Sequence, residues 1–448
     1  MRQARTPSRL RPRARSLPDS LRQFLTPATW KQAHRCRRPD RSQRWHTQAL
    51  VLVAVSLTWC CGDSLAEKFE AARAVCVACR HQRRRPGRTV QGFQKALARL
   101  PMPVLRAVAT GVRQQLVRRL AAWWLVHGFV PLGCDGARLE CCRTAELEQH
   151  LGQAGKAHAA PTLWLTALVH LRLGVPWAWR WGKGTASERG HLIHLLPQLP
   201  RQALIVADAG YVGFALAQAL VAAETAFLIR MSSVATLYLT ETVPLERFRE
   251  GLCYYWPGLA QRRHQQPVRV RLLRVRSPQK GADVWLLTNV LSARRLSVAQ
   301  AGQFYRWRWE NEGLFRTYKQ TLKKLKLQSR TVRLVHREAE ASLLATQLLL
   351  AQGAAGLRPA RGQTVACSPR QVLLAIRAEI RVLLPQGRPG RWRERLAEAR
   401  REQRRRTSSK AKRVWPRRKP SKPPRPPRIL KLTDKQQRLI HELEREKT

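Results

Sequence analysis

Four residues of this chain combine side-chain types that can do chemistry with a spacing that gathers them: Tyr305-x2-Arg308-x3-Glu312-x6-Lys319. They lie in Ser297–Leu325, SVAQAGQFYRWRWENEGLFRTYKQTLKKL, which reads as one long helix. Ser297 with Gln300 forms a capping box at its start, and no proline interrupts it. At helical spacing the four residues fall within an arc of about 60°. Phe304, Trp307, Leu314, Phe315, Tyr318, Leu322 and Leu325 fill the adjoining sector as a core face. Glu310 projects about 140° away from Tyr305, so Glu312 is the acid aimed at a site. Taken alone, the same pattern also describes an amphipathic helix with solvated ion pairs.

Two more acids stand where strands end. Phe129–Cys134 reads as a strand delivering Asp135 to a turn at Gly136, with Arg138–Arg143 returning. Ala203–Ala207 is a short continuous apolar run, the mark of a central strand, and ends at Asp208-Ala209-Gly210-Tyr211. A carboxylate at the exit of a buried strand beside a glycine is a common place for a ligand-binding acid. Asp also simply caps backbone at such ends. Leu163–Leu171 and Val175–Trp181 complete an antiparallel set.

The Tyr-Arg-Glu-Lys spacing resembles the Y-R-E-K signature of DDE transposases from bacterial insertion sequences. Asp135-Gly136-Ala137-Arg138 and Asp208-Ala209-Gly210-Tyr211-Val212-Gly213 resemble that group's two aspartate motifs, in the right order. Ala137 departs from the pattern, standing where a hydroxyl residue is common. The resemblance covers roughly 129–329. It implies an α/β fold: a ribonuclease-H-like mixed-sheet core with a β-rich insertion, a helical N-terminal domain and a basic disordered C-terminal tail. It also implies that Asp135, Asp208 and Glu312 hold two Mg²⁺ ions, with Mn²⁺ able to substitute, for hard cations take oxygen ligands. Tyr305, Arg308 and Lys319 are then contacts to DNA phosphates. Trp285 occupies the position of a tryptophan that supports an extruded base in relatives, or is an ordinary packed strand residue. The implied reaction is cleavage of double-stranded DNA at the element's ends and transfer of the 3′ ends into target DNA, by a homodimer assembled on DNA.

Composition agrees with the partner class. The 448 residues hold 84 Lys plus Arg against 28 Asp plus Glu, a formal charge of +56. A polyanion is the expected neutralising partner. Ten cysteines without regular spacing point to a reduced compartment and no disulfide framework. Cys76-x2-Cys79 with His81 lacks the second half of a zinc site. The apolar run Ala49–Trp59 is far below the roughly 20 residues of a membrane span. A bacterial cytoplasmic, nucleoid-associated protein without a membrane partner is expected.

The expected order is a basic arm (1–20), a helical DNA-binding domain (21–126), the first part of the core (127–225), the insertion (226–295), the second part of the core (296–350), a helical region (351–384) and a basic Pro-rich tail (385–448). Strands are expected at Phe227–Arg230, Val234–Leu239, Val268–Val275 and Val284–Val290. Thr433 with Gln436 opens a last short helix carrying Leu439, Ile440 and Leu443. Charge and basic tails equally suit a catalytically inactive or domesticated nucleic-acid-binding protein. A metal-dependent nuclease of the same fold is the other alternative.

Overall fold

Ten strands share one sheet in the computed structural model, which describes residues 14–37, 44–80, 85–152, 159–233, 235–241, 243–276, 283–357, 366–384, 391–401 and 426–445. The strands are β1 (Val130–Glu140), β2 (Thr162–His170), β3 (Val175–Lys183), β4 (Ala203–Ala207), β5 (Ala226–Arg230), β6 (Thr236–Leu239), β7 (Glu250–Tyr255), β8 (Val268–Val275), β9 (Val284–Thr288) and β10 (Arg428–Lys431). Their order is β10-β6-β7-β8-β9-β5-β4-β1-β2-β3. β1, β2 and β3 are antiparallel neighbours, whereas β4 runs parallel to β1 and β5 parallel to β4. That half of the sheet is the expected ribonuclease-H-like core. β4 is apolar throughout because every one of its residues is buried, as a parallel strand covered on both faces requires.

Packing divides the chain into two compact units, one of Met1–Ala121 with Thr317–Glu402 and one of Ala122–Arg316 with Gln403–Thr448. The first is helical. Helices Thr47–Leu57, Val90–Arg99 and Met102–Arg119 pack with Val332–Gly356, whose segment from Ala339 to Ala354 is buried throughout, and Leu65–Cys79 packs against Thr47–Leu57. The Trp59 indole donates to the Ala345 carbonyl at 3.2 Å, and Arg337 Nε to that of Leu100 at 3.0 Å. A helix, Leu17–Phe24, capped by Ser16, begins inside the stretch read as a basic arm. None of the ten cysteines forms a disulfide among the described residues; His81 lies outside them. Among the described residues no helix is long and apolar enough to cross a membrane.

The second unit contains the sheet. β9 pairs antiparallel with β5, so β6–β9 of the expected β-rich insertion extend the core sheet edge to edge. β7 was not foreseen, and the expected turn at Ser277–Gly281 lies outside the described residues. Residues 426–445 correct the reading of a disordered tail, although the last short helix expected after Thr433 forms. β10 pairs parallel with β6, and the helix Asp434–Arg445 seats Ile440 and Leu443 against Trp256, Ala260 and Leu432. Residues 402–425 of that tail lie outside the described residues.

Two other local expectations are corrected. β1 is one continuous strand from Val130 to Glu140, so Asp135 sits mid-strand, and Gly136 is not a turn. The signature helix is not continuous either. Its capping box forms, and Val298–Trp307 buries Phe304 among Phe129, Leu204, Leu228 and Leu286. The backbone then tightens, with Arg308 N bonded to Tyr305 O at 3.2 Å and Asn311 N to Arg308 O at 3.0 Å, both three-residue steps. A second helix, Glu310–Arg316, follows, and Thr317–Thr321 widens into a π-helical turn. Angular bookkeeping across Arg308–Trp309 therefore does not hold.

Ile440→Ala should remove the anchor of the last helix at a cost of about 2–4 kcal/mol. Limited proteolysis is expected to release the segment near 426–445 from the variant at protease levels that leave the parent intact.

Candidate active site

Asp135 and the helix that bears Glu312 meet because β1 carries glycine where the helix crosses it. A side chain at Gly133 would lie 2.6 Å from Asn311 Oδ1 and 2.5 Å from a Leu171 methyl. Without it, Asn311 is fully buried against the strand, and Glu312 follows on the next residue. Asp135 shares the face of Gly133, two residues along. Asp208 arrives from the neighbouring strand: it follows β4 directly and caps the turn Ala209–Tyr211.

Each aspartate is engaged locally. Asp135 Oδ1 accepts from Gly136 N at 2.8 Å, and its other oxygen lies 3.9 Å from Arg308 Nη1. Asp208 Oδ1 accepts from Gly210 N at 2.9 Å. Burial pushes the Asp135 carboxyl above its ordinary range; the Gly136 amide pulls back, Asp208 pushes up, Arg308 lowers and Glu312 raises. Glu312 is thus among the charges that act on Asp135. The Glu310 carboxylate lies back along its own helix, 3.7 Å from where a side chain at Gly313 would begin. Glu312 is exposed.

The three acids share one electrostatic neighbourhood but stop short of a coordination cluster. Among the described residues no three His, Cys, Asp or Glu side chains are gathered closely enough to hold a metal ion. Uncompensated carboxylates repel, and each aspartate has an N–H donor within its own loop or strand. The donor chemistry nonetheless fits a hard divalent cation, since the set is all oxygen and a cation would reverse the charge crowding on Asp135.

The remaining signature residues divide. Arg308 is 9% exposed, with its guanidinium carbon 5.6 Å from the Tyr305 ring centre and 5.3 Å from that of Trp309. Arg308 Nε and the Tyr305 hydroxyl are buried and without hydrogen-bond partners. Two donors left open beside an acid site suit an incoming anionic oxygen. Lys319 belongs to the helical unit, in the turn Thr317–Thr321, where desolvation lowers its ammonium below the ordinary lysine range. Trp285 is 6% exposed, between Phe248 (ring centres 5.7 Å apart) and Arg274 at 5.5 Å. In this arrangement it is a buried, packed residue of β9.

The sequence reading missed a fourth acid. Glu188 opens the helix Glu188–Leu195 behind Ser187, on the side of β1 that Gly136 faces. Burial raises its carboxyl, Asp135 and Asp208 raise it further, and the Trp164 indole and Tyr211 hydroxyl pull it back. Neither donor closes a well-formed hydrogen bond. Ser187-Glu188 is a helix-start signature, which places Glu188 in the first turn but says nothing of which way it faces.

These shifts carry a stability sign. Asp135 and Glu188 hold protons more readily folded than unfolded, where the ordinary values are 3.8 and 4.5. The linked stability is therefore fully present below about pH 4 and is lost as pH rises through the raised folded values. Thermal unfolding of the metal-free protein between pH 4 and 7 should show this. Glu188→Gln is expected to gain stability relative to the parent towards pH 7, and to lose that advantage near pH 4.

Comparison with known proteins adds a family. Residues 135–348 match the model of the family described as "Transposase DDE domain". No curated protein matches the chain. Among solved structures, a cryo-EM structure of the piggyBac transposase synaptic complex with hairpin DNA is similar at 10% identity and a TM-score of 0.39, over 87% of this chain and 86% of that one. So distant a likeness adds no argument. The stretch that holds Asp135, Asp208 and Glu312 is therefore the stretch that matches a transposase DDE domain, and the match supports a transposase.

Proposed function

We propose that the chain is a DNA transposase that binds insertion-sequence ends, cleaves them by two-metal phosphodiester hydrolysis and transfers the 3′ ends to target DNA. The observation that carries this reading is the convergence of Asp135, Asp208 and Glu312, from three separated segments, on one electrostatic site within the matched domain. Mg²⁺ is the proposed ion and Mn²⁺ its substitute; bound there, it would lower the pKa of the attacking water or 3′-hydroxyl and stabilise the departing oxygen. Bacterial cytoplasm, with the nucleoid as the working surface and a homodimer on DNA, completes the proposal.

In this reading the chain's own groups divide the work. Asp135, Asp208 and Glu312 would hold the ions through carboxylate oxygens. Arg308 is fixed against Tyr305 and Trp309, so its fork is aimed before DNA arrives, and its open Nε and the Tyr305 hydroxyl receive phosphate oxygens. Lys319, already partly desolvated, is a further phosphate contact. Trp285, buried here, supports an extruded base in this reading only once its ring becomes exposed. The net charge of +56 supplies sequence-independent attraction for DNA.

Cleavage of a DNA fragment bearing the element's own end tests the assignment. Glu312→Gln should abolish cleavage and leave binding to that fragment largely intact, whereas Glu310→Gln should cut. Equal loss in both, with folding preserved, would sink it. A precleaved end incubated with target DNA separates a transposase from a nuclease, because only the transposase joins the strands.

Arg308→Lys should lose cleavage while gel-shift binding across a salt series stays near the parent's, since a lysine cannot reproduce a planar two-pronged grip. A variant that cuts like the parent would return the signature helix to a solvated face.

A further inference from the structure

Glu188 stands directly behind the strand that bears Asp135. A methyl group at Gly136 would collide with Glu188 Oε1 and lie 2.8 Å from Trp164 Nε1, so the strand has no side chain where the carboxylate lies against it. Gly136 is also the residue whose N–H holds Asp135 Oδ1. On the other side, Tyr211 ends the turn that Asp208 caps, and its ring is completely buried. The Tyr211 hydroxyl faces Glu188 and Cys134 and is left without a hydrogen-bond partner of normal geometry. Glu188 thus touches the segments of both aspartates, with a buried, unpartnered hydroxyl aimed at it. No cation forms an ion pair with Glu188 among the described residues. In a chain with three times as many basic as acidic side chains, that arrangement concentrates negative charge where a salt bridge would be easy to build.

Resting on the three-acid reading above, we infer that Glu188 is a fourth acid of the same site, a positioning residue that holds its charge behind Asp135 and Asp208 and sets how tightly the site takes a divalent cation. Glu188 need not touch the phosphate. Its charge acts through the strand and the turn it backs, at short range and with little solvent between, where screening is weakest. The closely approached Gly136 keeps that distance short.

Calorimetric titration of the full-length protein with Mn²⁺ tests this, using the parent, Glu188→Gln, Glu188→Asp and Asp208→Asn. Gln keeps the size and an acceptor for Tyr211 and Trp164, so it removes charge with little change of packing. Glu188→Gln is expected to weaken Mn²⁺ binding about tenfold, and Glu188→Asp, which retains the charge, to weaken it less. End-DNA binding without metal should not fall in Glu188→Gln, since a negative charge has been removed; a folding defect would lower it. Glu188→Gln that binds Mn²⁺ like the parent, beside an Asp208→Asn that does not, overturns this inference and leaves the three-acid reading standing. Unchanged Mn²⁺ binding in both variants overturns the three-acid reading as well.

Discussion

Close approach to β1 governs the site. The strand carries Asp135 between two glycines on opposite faces, and each admits a helix that a single methyl group would hold off. Gly133 lets Asn311 press against the strand, which brings in Glu312; Gly136 lets Glu188 lie against the other side. Neither glycine is there for backbone freedom, since β1 is ordinary extended strand throughout. What they provide is distance, and distance decides how strongly the carboxylates feel one another.

That proximity carries an electrostatic cost, which the structure meets only in part. Arg308 stands 3.9 Å from Asp135, and it is itself almost fully buried with an open donor. Its attraction and the Gly136 amide fail to cancel the combined push of burial and the neighbouring acids, because the Asp135 carboxyl ends above its ordinary range. A structural ion pair would be built the other way, with the cation dominating, as it does at Glu338. There Lys324 at 2.8 Å and two backbone amides drive the carboxyl below its ordinary range despite burial. The contrast between Glu338 and Asp135, both carboxylates in the same basic chain, is one of surroundings: a cation and two amides outweigh burial at Glu338, whereas burial and neighbouring acids win at Asp135.

Much of this was legible in the sequence, and the failures share a cause. A continuous apolar run identified β4, because burial on both faces leaves a compositional mark, and β-forming residues between turn signals identified β5, β6, β8 and β9. The capping box at Ser297 and Gln300 formed as read, since capping is local. β7, Glu-Gly-Leu-Cys-Tyr-Tyr, lacks both marks and was passed over. Gly136 was read as a turn because a glycine beside an aspartate most often is one; its actual reason, a carboxylate arriving from 52 residues downstream, is not written locally. The continuity of the signature helix was overestimated for a like reason. The tightening at Arg308–Trp309 and the widening at Thr317–Thr321 leave no mark in the helical propensity of those residues.

Both units are discontinuous in the chain, and this bears on how the protein is made. The helical unit begins with Met1–Ala121 yet needs Thr317–Glu402, and the sheet unit lacks its outermost strand until residues 426–445 have been synthesised. A nascent chain halted anywhere before Thr317 has neither unit complete, and one halted before Arg428 leaves the β6 edge and the Trp256 surface bare. Folding from the N-terminus cannot proceed domain by domain here. The helical unit is therefore finished only after residue 402 and the sheet unit only after residue 445, and an internally truncated copy forfeits more than the segment it lacks.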